Sequence, residues 1–168
     1  MMLKQLIAGD IPEDSRSFVE SVANRFLYFA ARICYQGSQE AAMKARQGEM
    51  QLRSFNAGPL LTMAKGKISY DAEMAKKLSA YLKLLLDLDN GWAWMEGTSN
   101  KEYDDDTTAL PKIWEPWPKI ADYGKDYAKA VNELAAIADN GQDALKDKIK
   151  GLGKTCRNCH NDFRKKDC

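Results

Sequence analysis

Much that would direct this 168-residue chain toward a common function is missing from it. No stretch alternates β-branched and polar residues, so no sheet is expected. No apolar run approaches the roughly 20 residues that span a bilayer, so no membrane span is expected. Neither sign of charge is in excess: 25 Lys and Arg stand against 24 Asp and Glu, a formal net charge of +1. Bulk nucleic-acid affinity needs a surplus of bases to neutralise phosphates, so no nucleic-acid partner is expected. The four cysteines, Cys34, Cys156, Cys159 and Cys168, are too few and too unevenly spread for a disulfide framework. No nucleophile–base pair or paired carboxylates stand out, which leaves no case for hydrolysis, and the chain is read as something other than an enzyme. Histidine is scarcest of all, with His160 standing alone.

What remains is helical. Apolar residues make up 45% and charged residues 29%, a balance suited to one globular domain with a real core. From Glu40 onward the chain reads as four long helices. The first covers about 40–65, with Met43, Gln47, Met50, Phe55, Leu60 and Leu61 at helical spacing, a bend at Gly58-Pro59, and Gly66 as its stop. The second covers about 71–88, where Met74, Leu78, Tyr81, Leu82 and Leu85 make one apolar stripe. Asn90-Gly91 ends it. A long loop, 90–110, carries the acidic cluster EYDDD, read as solvated. The third begins among the prolines of IWEPWPKI and runs through Val131, Leu134 and Ile137 to Asn140-Gly141. The fourth covers about 142–166 through Leu145, Ile149, Leu152, Cys156, Cys159 and Phe163. Short connections beside the loop favour antiparallel neighbours, so the expected fold is all-α, an up-down four-helix bundle.

The segment TCRNCHNDFRKK, 155–166, holds the only histidine beside two cysteines. On a helix, residues three and four apart share a face, so Cys156, Cys159 and His160 point together along the stripe of Leu152 and Phe163. Four readings compete. Zinc needs about four ligands, and there is no second motif to supply them. A thioredoxin-like CxxC belongs at a strand-to-helix junction, and no strand is expected. Two small buried cysteines beside a satisfied histidine would be plain helix packing. C-x-x-C-H is otherwise the attachment signature of haem c, each thiol adding to a vinyl group and the histidine binding iron. The motif favours haem. With one histidine, bis-histidine ligation within the chain is excluded, and the sixth iron position falls to Met, another side chain, a diffusible ligand, or nothing.

A helical bundle with CxxCH in its last helix resembles the cytochrome c′ family, the class II c-type cytochromes. The likeness runs from about Ala42 to Lys166, through ARQGEMQLRSFNAGPL, KGKISYDA, NGWAWMEGTS, ALPKIWEPWPKI and GLGKTCRNCHNDFRKK. It implies one covalently attached haem c, thioethers from Cys156 and Cys159, and His160 as the proximal iron ligand. It sets Arg164 beside the proximal imidazole, on the face of His160 four residues on, where a cation shifts the electronics of the iron. Arg46 and Gln47 match the family pair near the haem propionates, a guanidinium suiting a carboxylate. Met50 matches the position facing the distal side. There it either coordinates iron, as in low-spin members, or shields a vacant site, as in high-spin ones; core filling is the third reading of a methionine on an apolar face. Trp92, Trp94, Trp114 and Trp117 read as core and haem-edge packing.

The resemblance implies a periplasmic monohaem cytochrome that moves single electrons between redox partner proteins. The alternative is a five-coordinate haem protein that senses or sequesters NO or CO. Dimerisation through the first two helices, common in the family, is permitted by the apolar stripes. Residues 1–39 stand apart from the bundle at 40–168. A leader needs an apolar core of about 7 to 15 residues, and Asp10, Glu13, Asp14, Arg16, Glu20, Arg25 and Arg32 interrupt any such run. Phe18, Val22, Phe26, Phe29 and Ile33 are instead spaced as an amphipathic helix. Three readings fit: an extra helix, a start assigned in place of the natural leader, or atypical export. A leader-like region is the expectation. No role follows for Cys34 or Cys168.

Overall fold

A computed structural model describes the backbone of residues 13–88, 90–115 and 117–166, with side chains of Val22 and few others before residue 38 and none for 117–119. Among the described residues there are four α-helices and two short 3-10 turns, and the sole β feature is an isolated bridge between Ala109 and Arg164. The chain divides into two compact units, Met1–Gln39 and Glu40–Cys168. The second is an up-down four-helix bundle.

Helix α1 spans Glu13–Ala64, starting well before the expected Glu40. Residues 18–33 fall within this helix; the faces of the expected amphipathic helix lie outside the described side chains. Pro59 lies inside α1 without ending it. Gly66 closes the helix at φ +68°, its N–H donating to the Met63 carbonyl at 2.9 Å. That left-handed conformation is open to glycine at little cost. Helix α2 spans Ala72–Leu84, capped by Asp71, whose side chain accepts from the Met74 N–H at 2.9 Å. It stops short of the expected Leu88. A 3-10 turn at Pro111–Ile113 precedes α3, Trp117–Ala135. Helix α4, Gln142–Phe163, follows Gly141 at φ +109° and ends three residues before the expected Lys166.

All four helices feed one core: Leu60 and Met63 from α1, Ala75 and Leu82 from α2, Val131 and Leu134 from α3, Leu145, Ile149 and Leu152 from α4. Helix α3 packs against both α2 and α4. Tyr70 ties two connections together, donating to the Ala138 carbonyl at 2.9 Å and accepting from the Gly141 N–H at 3.0 Å. The expected stripes are broader than the faces actually buried. Phe55 is 75% exposed, and Leu61, Met74 and Tyr81 also face solvent, while the small residues Ala75 and Ser79 take the interior of α2. A stripe counts apolar residues, whereas close helix approach selects small ones. Among the described residues no helix is long and apolar enough to cross a membrane.

Candidate functional site

The site is built at the C-terminal end of α4 and held by the long α2–α3 connection. Arg46, on α1, is buried, and its guanidinium organises that connection. It donates to the Ala93 carbonyl and Thr98 Oγ1, both at 3.1 Å, and to the Thr98 carbonyl at 3.0 Å. The rings of Trp94 and Trp114 lie 5.2 and 5.9 Å from it, a cation–π arrangement. Burial pulls its pKa down. Trp114 Nε1 in turn donates to the Trp94 carbonyl at 2.7 Å. Gln47 Nε2 donates to the Asp106 carbonyl at 2.6 Å. Both residues of the expected propionate pair thus reach the loop from α1.

The loop then clamps α4. Leu110 N–H donates to the Phe163 carbonyl at 2.9 Å, Lys165 N–H to the Thr108 carbonyl at 2.7 Å, and Lys165 Nζ pairs with Asp104 at 2.8 Å. That ion pair pulls the Asp104 carboxyl down, so the acidic cluster, though exposed, is not only a solvated loop. Phe163 is buried edge-on to Tyr123, ring centroids 5.6 Å apart, and Tyr123 donates to Asp162.

Between these fastenings and the core lie Cys156, Cys159 and His160, within little more than one turn of α4. Both cysteines are free and half-buried. Burial raises both thiol pKa values, so each keeps its proton. His160 is exposed overall, yet the part that is covered, and then the Arg164 cation, lower its pKa and favour the neutral imidazole. Neutral imidazole is the form that binds a metal. Arg164 is the C-cap of α4, with extended backbone; its N–H donates to the His160 carbonyl at 3.1 Å, its charge acts on His160, and its Nε donates to Thr108 Oγ1 at 3.2 Å. The helix ends because Ala109 bridges to it. Met50 is half-buried on α1, one turn from Arg46 and one from Arg53. Trp94 and Trp114 are half-buried as expected, but Trp92 is 62% exposed and no part of the core. The Trp117 side chain, Cys34 and Cys168 lie outside what is described.

Sequence reasoning missed a second charged group on α1. Glu49 is buried, pairs with Arg53 one turn on, and accepts from Asn90 Nδ2 at 3.2 Å. The Arg53 guanidinium lies over the Tyr127 ring, 4.5 Å from its centroid. The Glu49–Arg53 spacing, four apart on the Arg46 face, is the signal that could have found it.

Chemically, two protonated thiols and a neutral imidazole on one face can tether a planar group by its edge and bind a metal at its centre. Among the described residues no three of His, Cys, Asp and Glu gather to hold a bare metal ion, so a zinc site lacks its ligands. The residues present fit a haem held by thioethers.

Comparison with known proteins agrees. The family model described as cytochrome C′ matches residues 41–164. The cytochrome c′ of Cereibacter sphaeroides is 35% identical over 127 residues, covering 76% of this chain and 85% of that protein. Among solved structures, a cytochrome c′ from Rhodobacter Spheriodes superposes with a TM-score of 0.75 at 34% identity, covering 77% of this chain and 98% of that one. Two structures of the Alcaligenes xylosoxidans protein, a ferrous variant with bound NO and a variant with carbon monoxide bound, give TM-scores of 0.67 and 0.66 at 28% and 29% identity. They cover 77% and 76% of this chain, and 97% of each of those.

Proposed function

Because the chain belongs to the cytochrome c′ family and is a monohaem c-type cytochrome with one covalently attached haem c, we propose that Cys156 and Cys159 anchor that haem and His160 is its proximal iron ligand. The observation that carries this assignment is the pairing of two proton-bearing, half-buried thiols with an imidazole kept neutral on the same helix face. Haem supplies an iron that takes up and releases one electron, at a potential set by axial ligand, burial and hydrogen bonding. The protein's own part is to hold and shield it. Arg164 keeps a cation near His160 that opposes build-up of positive charge on the imidazole. Arg46 and Gln47 brace the loop and are the candidates for contact with the propionates, Arg46 retaining donors beyond its three bonds to Ala93 and Thr98. Met50 faces the distal side.

The role is single-electron transfer between redox partner proteins in the periplasm, where haem c is attached, and the chain acts as a carrier and not an enzyme. Residues 40–168 are the cytochrome unit and 1–39 a leader-like or added segment. Exposed Leu52, Phe55 and Leu61 on α1, with Leu84 on α2, support pairing with a second copy. A second reading, an open iron that takes NO or CO, is supported by the related Alcaligenes xylosoxidans structures that hold those gases.

Absorption spectra of the holoprotein separate the two. Low-spin bands that collapse in Met50→Ala are expected of the carrier with methionine ligation. High-spin bands unmoved by that substitution, with ready CO uptake, would establish the gas-binding reading.

A further inference from the structure

Among the described residues, two buried side-chain polar atoms have no hydrogen-bond partner: Arg53 Nε and Tyr127 Oη. A buried donor left unmade costs free energy, so a native structure that keeps one calls for a reason. These two belong to a single cluster, the guanidinium stacked on the phenol ring. Glu49 takes the Nη2 edge of Arg53 and is itself steadied by Asn90, which fixes the guanidinium and leaves Nε–H uncommitted. The cluster adjoins the thiols: the Arg53 charge acts on Cys156 and Cys159, and Cys156 acts on Tyr127. Burial pushes the Tyr127 hydroxyl up to about 12, so it keeps its proton to donate.

Both orphaned atoms are donors, and one belongs to a cation, which together ask for an anionic acceptor. With Cys156 and Cys159 carrying the thioethers, the porphyrin's own anionic groups, the propionates, would lie on the opposite edge, away from the thiols that Arg53 accompanies. Met50, one turn before Arg53 on the same face of α1, is the residue assigned to the distal side. We propose that Arg53 and Tyr127 are a hydrogen-bond donor pair for a small anion bound at the haem iron, of the azide or nitrite class, and that they set the preference of the site for anions over neutral diatomic gases. The proposal rests on the assignment of Cys156 and Cys159 as haem anchors and on the reading in which Met50 leaves the sixth iron position open. Glu49 is a positioning residue that orients the guanidinium.

The test is azide titration of the ferric holoprotein, followed by absorbance, beside CO titration of the ferrous form. Arg53→Met keeps an unbranched stem and removes the donor; Tyr127→Phe removes only the hydroxyl. Azide affinity is expected to fall roughly tenfold or more in Arg53→Met, and by less in Tyr127→Phe, while CO affinity holds within about twofold. Unchanged azide affinity in both variants, with haem absorbance intact, overturns the donor pair alone. Equal losses for azide and CO overturn it as well, since they mark a packing defect. Absence of haem absorbance in the unmodified chain overturns the anchor assignment and the proposal with it.

Discussion

Arg46 fastens the α2–α3 connection to α1. It is buried, bonds three acceptors in the loop and lies over two tryptophan rings. Arg46→Met preserves bulk but strands the Ala93 and Thr98 acceptors, so denaturant unfolding should show a loss of about 2–4 kcal/mol. Tyr127 makes the pH prediction. Its folded-state pKa is about 12, raised from the usual 10 chiefly by burial. Below 10 both folded and unfolded tyrosine hold the proton and its contribution is fully present. Between 10 and 12 the unfolded chain releases the proton and the folded one retains it, so stability falls as pH rises. The component at stake is on the order of 2 kcal/mol. Unfolding curves collected from about pH 9 to 12 should fall more steeply for the unmodified protein than for Tyr127→Phe; parallel curves would assign the alkaline loss to other groups.

At the level of elements, α2 is the simplest test of local rules. Its first turn depends on the Asp71 carboxylate accepting from Met74 N–H, so Asp71→Ala should cost about 1 kcal/mol in thermal or denaturant unfolding while leaving haem absorbance unmoved. This cap, the Gly66 stop and the buried face of α4 from Leu145 to Phe163 are legible in the sequence because each depends on neighbours within a turn. The outward rotation of Phe55, Met74 and Tyr81 is not, because it depends on which helix faces approach closely, and Ala75 and Ser79 allow that approach better than large residues. The early end of α4 escapes for the same reason: Arg164 leaves helical geometry to bridge Ala109, 55 residues earlier. At the site, the CxxCH ligands stand on one face by spacing alone. The Glu49–Arg53 spacing marks an ion pair but not its half-buried place, since such a pair on a helix normally reaches solvent, and the Tyr127 ring from α3 is what covers the guanidinium.

For the whole molecule, the decisive fact is where the core residues fall along the chain. Among the described residues, every buried member of the main cluster lies between Leu60 and Leu152, and the clamp on α4 uses residues 93–114 and 163–165. The family match, 41–164, covers the same stretch. The groups assigned to haem, from Arg46 to Arg164, lie within that stretch as well. A chain comprising 40–168, directed to the compartment where haem c is attached, should mature with one haem and absorption bands that coincide with those of the full chain. Its stability should change little, because a single truncated core Leu costs about 2–5 kcal/mol and the described core lies within the residues it retains. The measurement is a pair of thermal melts read at the haem bands. Coincident spectra with closely similar midpoints would assign folding and cofactor chemistry to 40–168; failure to mature, or a midpoint lowered as far as by Leu134→Ala, would make the first thirty-nine residues part of the folding unit.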